Sequence, residues 1–256
     1  MIDKPDEHRR MFAVEEQLWW YRHLHNQVIH SIQARFGPDK TPAIFDAGCG
    51  TGGLLQRLRE QGFTNLRGVD GSAEGVACCR ERGLAVDQLD LNQLGTYAPG
   101  VTFDVIVCND VFCYFLDPEL RVLLRELGRR LRPGGVLISN NNAFSVFRGQ
   151  HDLAVGSLRR FTRTDFNRLA PEAGMRIHLA TYWSLVLAPL ILAVRQWQAL
   201  QLRMGWRSAA QPGSDVYLPH PLVNRFFFGL VTTERKLLAS APFGSSLFMQ
   251  LERLPD

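Results

Sequence analysis

One stretch constrains this chain more than any other. Ile44-Phe-Asp46-Ala-Gly48-Cys49-Gly50-Thr-Gly52-Gly53-Leu-Leu is an apolar, β-prone run ending near a carboxylate, then four glycines in six residues, then an apolar helical stripe. Glycines in such a turn supply backbone angles that other residues resist, and they let a ligand lie against bare backbone. The pattern predicts a strand, loop and helix that cradle a small molecule. It contains Gly48-x-Gly50-x-x-Gly53, the dinucleotide fingerprint, so nicotinamide binding is one reading. Asp46 argues for another, because a carboxylate at the strand tip repels a pyrophosphate and holds an ammonium group. Asp70, 24 residues further on, ends a second β-prone run, where a carboxylate can take both hydroxyls of a ribose. The pair favours a nucleoside that carries a cationic amine.

The surrounding sequence supplies a matching frame. β-Prone runs at Ala43–Asp46, Asn65–Asp70, Leu84–Asp87, Phe103–Cys108 and Gly135–Ser139 are separated by helical stretches. Leu54–Leu58 and Leu120–Leu131 show i, i+3/i+4 apolar stripes, and Pro133-Gly134-Gly135 is expected to stop the second helix. Such alternation predicts βαβ units and a parallel sheet. Glu15 to Phe36 reads as an amphipathic helix carrying Trp19, Trp20 and Tyr21. After a sixth strand at Met175–Tyr182, an apolar helix is expected from Tyr182 to between Arg203 and Arg207. A turn at Gln211–Asp215, a helix at Leu222–Ser240 and a last strand at Ser246–Glu252 follow.

In this order the segments resemble the class I S-adenosylmethionine (SAM)-dependent methyltransferases, from about Ala43 to Ile177. Asp46-x-Gly48-x-Gly50-x-Gly52 is similar to their first motif and Val69-Asp70-Gly71-Ser72 to the ribose-binding second. Leu89-Asp90-Leu91 resembles the acidic position near the adenine, with Asp87 as the alternative acid. Phe103 to Val111, containing Asn109 and Asp110, resembles the fourth-strand motif, and Leu131-Arg-Pro-Gly-Gly-Val-Leu137 the turn before the fifth strand. The resemblance implies an α/β fold: a doubly wound, seven-stranded mixed sheet in the order 3-2-1-4-5-7-6 with helices on both faces. Residues 1–40 would form an N-terminal helical cap and 41–182 the SAM-binding core. Residues 183–256 would form a helical substrate cap plus the strand completing the same sheet. The implied cofactor is SAM, with S-adenosylhomocysteine (SAH) as product. The implied binding residues are Asp46, Gly48, Cys49, Gly50, Gly52, Asp70, Gly71, Ser72, Asp90, Leu91, Asn109 and Asp110. Helix capping is the structural alternative for Asp46 and Asp70, as is turn formation for Asn109 and Asp110.

Trp19-Trp20-Tyr21 resembles the N-terminal helix of one branch of these enzymes, which puts Trp20 over the cofactor; core packing is the other reading. That branch also carries H-x-R-R-Y-(S/T) after the fifth strand, where this chain has Ser157 for the His and Phe161 for the Tyr. A serine hydroxyl is a poor proton acceptor near neutrality, so the acid–base candidates become His151, six residues upstream, and Tyr114 after the fourth strand. An ordinary surface histidine is the alternative for His151. Asn140, Asn141 and Asn142 offer further polar groups, and Arg159, Arg160 and Arg163 either engage an anion on the acceptor or form a solvated basic face. Methyl transfer requires an acceptor held about 3 Å from the methyl carbon more than it requires a strong base, so oxygen, nitrogen and carbon acceptors all stay open.

Composition narrows the partners. With 46% hydrophobic and 21% charged residues the chain is globular, and much of its apolar content lies outside the sheet motifs, which points to a hydrophobic or lipid-like small-molecule acceptor. A formal charge of +4 on 256 residues gives no reason to expect nucleic acid. Five cysteines without a C-x-x-C pair indicate neither a disulfide framework nor a zinc site, which suits a reducing cytoplasm. Met1–Arg10 has no apolar core of the secretory kind. Tyr182–Val194 is too short to cross about 30 Å of hydrocarbon. With Arg195, Trp197, Arg203, Trp206 and Arg207 it suits either peripheral membrane contact through 182–207, at the inner face, or a cap over the sheet edge. The same helices can pair two copies into a homodimer. Three rival functions share parts of this pattern: an NAD(P)-dependent oxidoreductase, a SAM enzyme with non-methylating chemistry such as intramolecular cyclisation of SAM, and a non-catalytic membrane-associated SAM-binding module.

Overall fold

A computed structural model describes residues 5–204 and 214–255, so Trp206, Arg207 and most of the turn expected at 211–215 lie outside the described residues. Two helices come first, α1 (Pro5–Val14) and α2 (Trp19–Phe36). They are followed by β1 (Ile44–Ala47), α3 (Gly53–Glu60), β2 (Leu66–Asp70), α4 (Ala73–Glu81), β3 (Val86–Gln88) and β4 (Phe103–Val107). Then come α5 (Asp117–Arg130), β5 (Leu131–Asn142), α6 (Gln150–Val155), α7 (Arg163–Glu172), β6 (Met175–Trp183), α8 (Ala188–Arg203), α9 (Pro221–Leu237) and β7 (Ser246–Arg253).

The strands form one sheet in the order β3-β2-β1-β4-β5-β7-β6. β1 to β5 pair in parallel, while β7 runs antiparallel between β5 and β6. Successive side chains of a strand face opposite sides, and in the central strands both sides are apolar. Phe45, Ala47 and Ile106 pack on the face that takes Leu120, Leu123 and Leu127 of α5 and Phe166 of α7. Ile44, Val105 and Val107 pack on the other, against Leu24, Val28 and Ile32 of α2 and Leu54 and Leu58 of α3. Strand order reverses at β1, so a crevice opens at the carboxyl ends of β1 and β4, where ligands bind in sheets of this kind.

Three local features depart from the sequence reading. α1 is a helix, although Met1–Arg10 shows little apolar periodicity; Arg9 holds it to Glu74 and Glu81 of α4. Pro133-Gly134-Gly135 does not end a helix but lies inside β5. Leu131 already pairs with Phe103, and the ladder shifts register before Val136 while Gly134 takes φ +74°. The apolar helix after β6 begins at Ala188, not Tyr182, because Tyr182 and Trp183 still pair with Leu247 and Ser246, and Ser184 turns the chain at φ +66°. The segment before α8 is pinned by the buried Glu234 of α9, whose carboxylate accepts the amides of Leu185 (3.1 Å) and Val186 (2.9 Å). Among the described residues, no helix is long and apolar enough to cross a membrane.

Candidate functional site

The glycine loop lies where β1 meets α3. Gly48, Gly50 and Gly52 have φ of +84°, +57° and +82°, and a Cβ on Gly48 would stand 2.5 Å from Cγ2 of Val111. The amides of Gly48 and Cys49 both donate to the carbonyl of Val69 (2.8 and 3.0 Å), which ties the loop to the end of β2. Asp70 completes the tie. Its carboxylate accepts the amides of Gly50 and Ser72, each at 2.8 Å. Each of those oxygens keeps a second lone pair for a hydroxyl. Ser72 caps α4, accepting the Gly75 amide at 3.3 Å, and Gly71 follows the strand end directly.

Asp46, at the tip of β1, is 3% exposed. Burial pushes its pKa up to about 8, the charges of Asp70 and Glu15 push the same way, and no hydrogen bond offsets them. A carboxyl group in this state gains from any cation brought to it. Asp110, after β4, is held in the left-handed region at φ +56°, and its carboxylate accepts both contacts of the Asn140 amide (3.0 and 3.1 Å). Burial raises its pKa to about 7 against that amide. Asn140 is bound on every side: its backbone amide donates to Asn109 (2.9 Å), and its side-chain oxygen accepts from the Trp183 indole (2.9 Å). A residue held at positive φ by such a network is the kind of local strain that collects at functional sites.

The N-terminal segment covers this ground. Met11 of α1 reaches the glycine loop, its methyl group 2.6 Å from where a Cβ on Gly50 would lie. Glu15, between α1 and α2, is buried over Gly53; it accepts from Thr51 and from Arg82 (2.7 Å), and burial lifts its pKa to about 7. Burial raises the Tyr21 phenol, with Glu15 and Asp110 adding to the effect. Tyr114 is raised by burial, then by Cys113 and Asp110, with Tyr21 and Asp70 adding further. Glu15 was not singled out by the sequence, and Tyr21 only as part of the Trp19-Trp20-Tyr21 motif. The clue available was that Tyr21 follows Trp20 by one position, a turn of about 100° on a helix.

The remaining sequence candidates fall elsewhere. Trp20 packs on Trp183 (centroids 5.6 Å apart) and edge-on to Tyr21 (5.0 Å). Cys49 is buried beneath the loop, among Leu55, Val76 and Cys79. Asp90 is exposed and caps the short turn that begins at Leu91, accepting the Asn92 amide at 3.0 Å, while Leu91 is buried in the core. Asp87 accepts the Tyr97 hydroxyl at 2.6 Å. His151, on α6, accepts the Asp215 amide through Nδ1 (3.3 Å), and burial lowers its pKa. Arg160 is taken by the fully buried Asp152 in a two-pronged pair (2.9 and 3.0 Å), and Arg159 pairs with Asp117, so neither guanidinium is left for an acceptor's anion.

The fold and the site together define an open α/β sheet whose glycine loop is ringed by buried carboxylates, an acceptor set suited to a ribose and an ammonium group rather than to a pyrophosphate. Residues 45–139 match the family described as methyltransferase domain. Two curated relatives are a trans-aconitate 2-methyltransferase of Azoarcus sp. (35% identical over 114 residues, 43% of each chain) and a fatty-acid O-methyltransferase of Mycolicibacterium smegmatis (32% over 120 residues, 44% of this chain and 41% of that one). The matched stretch spans less than half the length of these relatives. Among solved structures, the N-methyltransferase NodS from Bradyrhizobium japonicum, in complex with SAH, shares the fold at TM-score 0.54 and 13% identity over 92% of this chain and 88% of that one. The cyclase SpnF shares it at TM-score 0.54 and 19% identity over 90% and 81%. Over residues 45–139 the chain is similar to that methyltransferase family, and its seven strands take the Rossmann-like order 3-2-1-4-5-7-6.

Proposed function

We propose that this protein transfers a methyl group from SAM to a small, apolar, lipid-like acceptor. The observation that carries the reading is Asp46, a buried carboxyl with pKa raised to about 8 and no compensating donor, beside a loop of positive-φ glycines. An α-ammonium group supplies the missing cation. Asp70 takes the ribose hydroxyls on its spare lone pairs, and Gly71 and Ser72 shape the turn beneath them. Asp90 after β3 and Asn109 after β4 are the residues we assign to the adenine side, while Leu91 is buried in the core behind them. When bound, SAM supplies an electrophilic methyl group on a sulfonium.

The chain's own residues position the acceptor and handle its proton. Tyr21, Tyr114 and Asp110 lie close enough for their charges to be felt by one another, at the edge where β4 and α2 meet the loop. With SAM in place, Asp110 would take up the proton that an acceptor oxygen or nitrogen loses on methylation, directly or through Tyr114. A carboxyl with pKa about 7 takes a proton near neutrality. His151 faces Asp215 and Arg195 instead, which leaves it a place at the rim. The name of one relative, a fatty-acid O-methyltransferase, is in line with an apolar acceptor. So is the cap, where Leu187, just before α8, and Ala188, its first residue, are buried. Residues 183–256 then serve as the acceptor cover, in a protein of the cytoplasm.

Thermal shift separates the cofactor readings: SAM and SAH should raise the melting temperature, and stabilisation by NAD(P)H alone would sink the proposal. Chemistry is tested separately from binding, by incubation with methyl-labelled SAM and a panel of apolar acids and phenols. Label in the extracted acceptor with SAH as co-product is expected. Methylthioadenosine formed from SAM alone would establish the cyclising alternative.

A further inference from the structure

A cavity of about 460 Å³ opens between α2 and α9. Gln17, Arg22, Leu218, Pro219, Asn224, Arg225 and Phe228 contribute to its wall. Its frame is rigid. Asn224 is buried and bonded twice, accepting the Trp19 amide (2.9 Å) and donating to the Gln17 carbonyl (2.8 Å). The Arg22 guanidinium lies 4.2 Å from the Phe228 ring centroid, which orients the group and leaves its edge donors to the cavity. Among the described residues, no carboxylate pairs with Arg22 or Arg225. The sequence explains why: residues 17–36 and 216–233 contain no Asp or Glu.

The charge is concentrated here by the whole chain. Residues 183–245 hold six basic residues and two acids, so the cap carries the entire formal charge of +4. Both acids are occupied, Asp215 by Arg195 and Glu234 by backbone amides. Beside the cavity, α9 begins with large apolar side chains in water: Leu222 is 72% exposed, Phe226 63%, and Tyr217 just before them 63%. α8 also shows an apolar outer face at Leu190, Val194 and Trp197, but its Arg195 is consumed by Asp215, so that face has no anion site to go with it. Paired free guanidiniums with apolar anchors around them match one occupant, an anionic headgroup with hydrocarbon attached.

We propose that the Arg22–Arg225 cavity binds the phosphate of an anionic membrane phospholipid, with Tyr217, Leu222 and Phe226 entering the lipid surface. The site moves the membrane contact from 182–207 to the start of α9. The proposal builds on the apolar acceptor read above, which a bilayer would deliver to the cap.

The test is co-sedimentation of the full chain with vesicles of phosphatidylcholine alone or mixed equally with phosphatidylglycerol. Binding to the mixed vesicles only, weakened by salt, is expected. At about 1 kcal/mol per arginine near an anionic surface, R22Q/R225Q should lower the partition coefficient about thirtyfold and R225Q alone about fivefold. Phe226→Ser should weaken binding without changing the salt dependence. Equal binding to neutral vesicles, an unchanged R22Q/R225Q, or stabilisation by glycerol phosphate in solution without sedimentation would overturn the proposal. R225Q replaces an exposed side chain and keeps the test decisive should the double variant lose its melting transition. The SAM-induced thermal shift is read in parallel: its persistence in the variants shows an intact fold. Its absence from the parent protein would count against the methyltransferase reading alone.

Discussion

Replacing Asp46 by Asn is expected to move stability and cofactor affinity in opposite directions. In the cofactor-free protein the Asp46 carboxyl has its pKa raised from 3.8 to about 8, so the folded state holds a proton that the unfolded chain releases above about pH 4. Folding therefore loses stability through this group as pH climbs from 4 to 8, by up to about 1.4 kcal/mol per pH unit. An amide has no proton to lose. D46N and the parent protein should melt alike near pH 4 and separate as pH rises, with the variant the more stable by a few kcal/mol at pH 8. Affinity goes the other way. A hydrogen bond between an ammonium and a carboxylate contributes about 1.5–3 kcal/mol, so the variant should bind SAM roughly ten- to a hundredfold more weakly. Binding to the parent protein below pH 8 should also release a proton, visible by calorimetry in buffers of different ionisation enthalpy. A D46N protein that is less stable at pH 8 and binds SAM unchanged would refute both the electrostatics and the assignment.

Three further changes separate strain from collision and test a buried charge pair. Gly48→Ala meets both a positive φ and Cγ2 of Val111 at 2.5 Å, and should lower stability by about 2–3 kcal/mol. Gly134→Ala has φ +74° and open space, and should lower it by about 1 kcal/mol; equal values from denaturant titrations would remove the steric part of the argument. Asp152→Ala strands the Arg160 guanidinium, which is 5% exposed on its side chain, and should cost about 3–5 kcal/mol in the same titration. A midpoint that barely moves would show that water reaches the site.

How far the sequence could be read depended on whether a residue's role was set by its neighbours in the chain or across the fold. Asp46, the glycines and Asp70 stood out because the loop demands positive φ at fixed spacing, and a local demand leaves a local trace. The central strands were legible for the same reason, being uniformly apolar. Pro133-Gly134-Gly135 misled because its punctuation, normally a helix stop, was absorbed as an irregularity within β5. Glu15 was illegible: the first of two adjacent acids near a helix start becomes part of the site only through Thr51 and Arg82, 36 and 67 residues away. His151 was chosen for its chemistry and its place after the fifth strand, but the 214–215 segment, far along the chain, decides what it touches.

The start of α2 has a consequence for how the molecule is made. Leu18 offers that helix no side-chain cap, and its first amide is satisfied by Asn224, 205 residues downstream. β6 likewise pairs along its length with β7, the last strand among the described residues. A chain leaving the ribosome therefore makes α2 with an open end, and the 205 residues up to Asn224 must emerge before that end closes. The parallel core from β1 to β5 can assemble first, while α2 and α9 mature together afterwards.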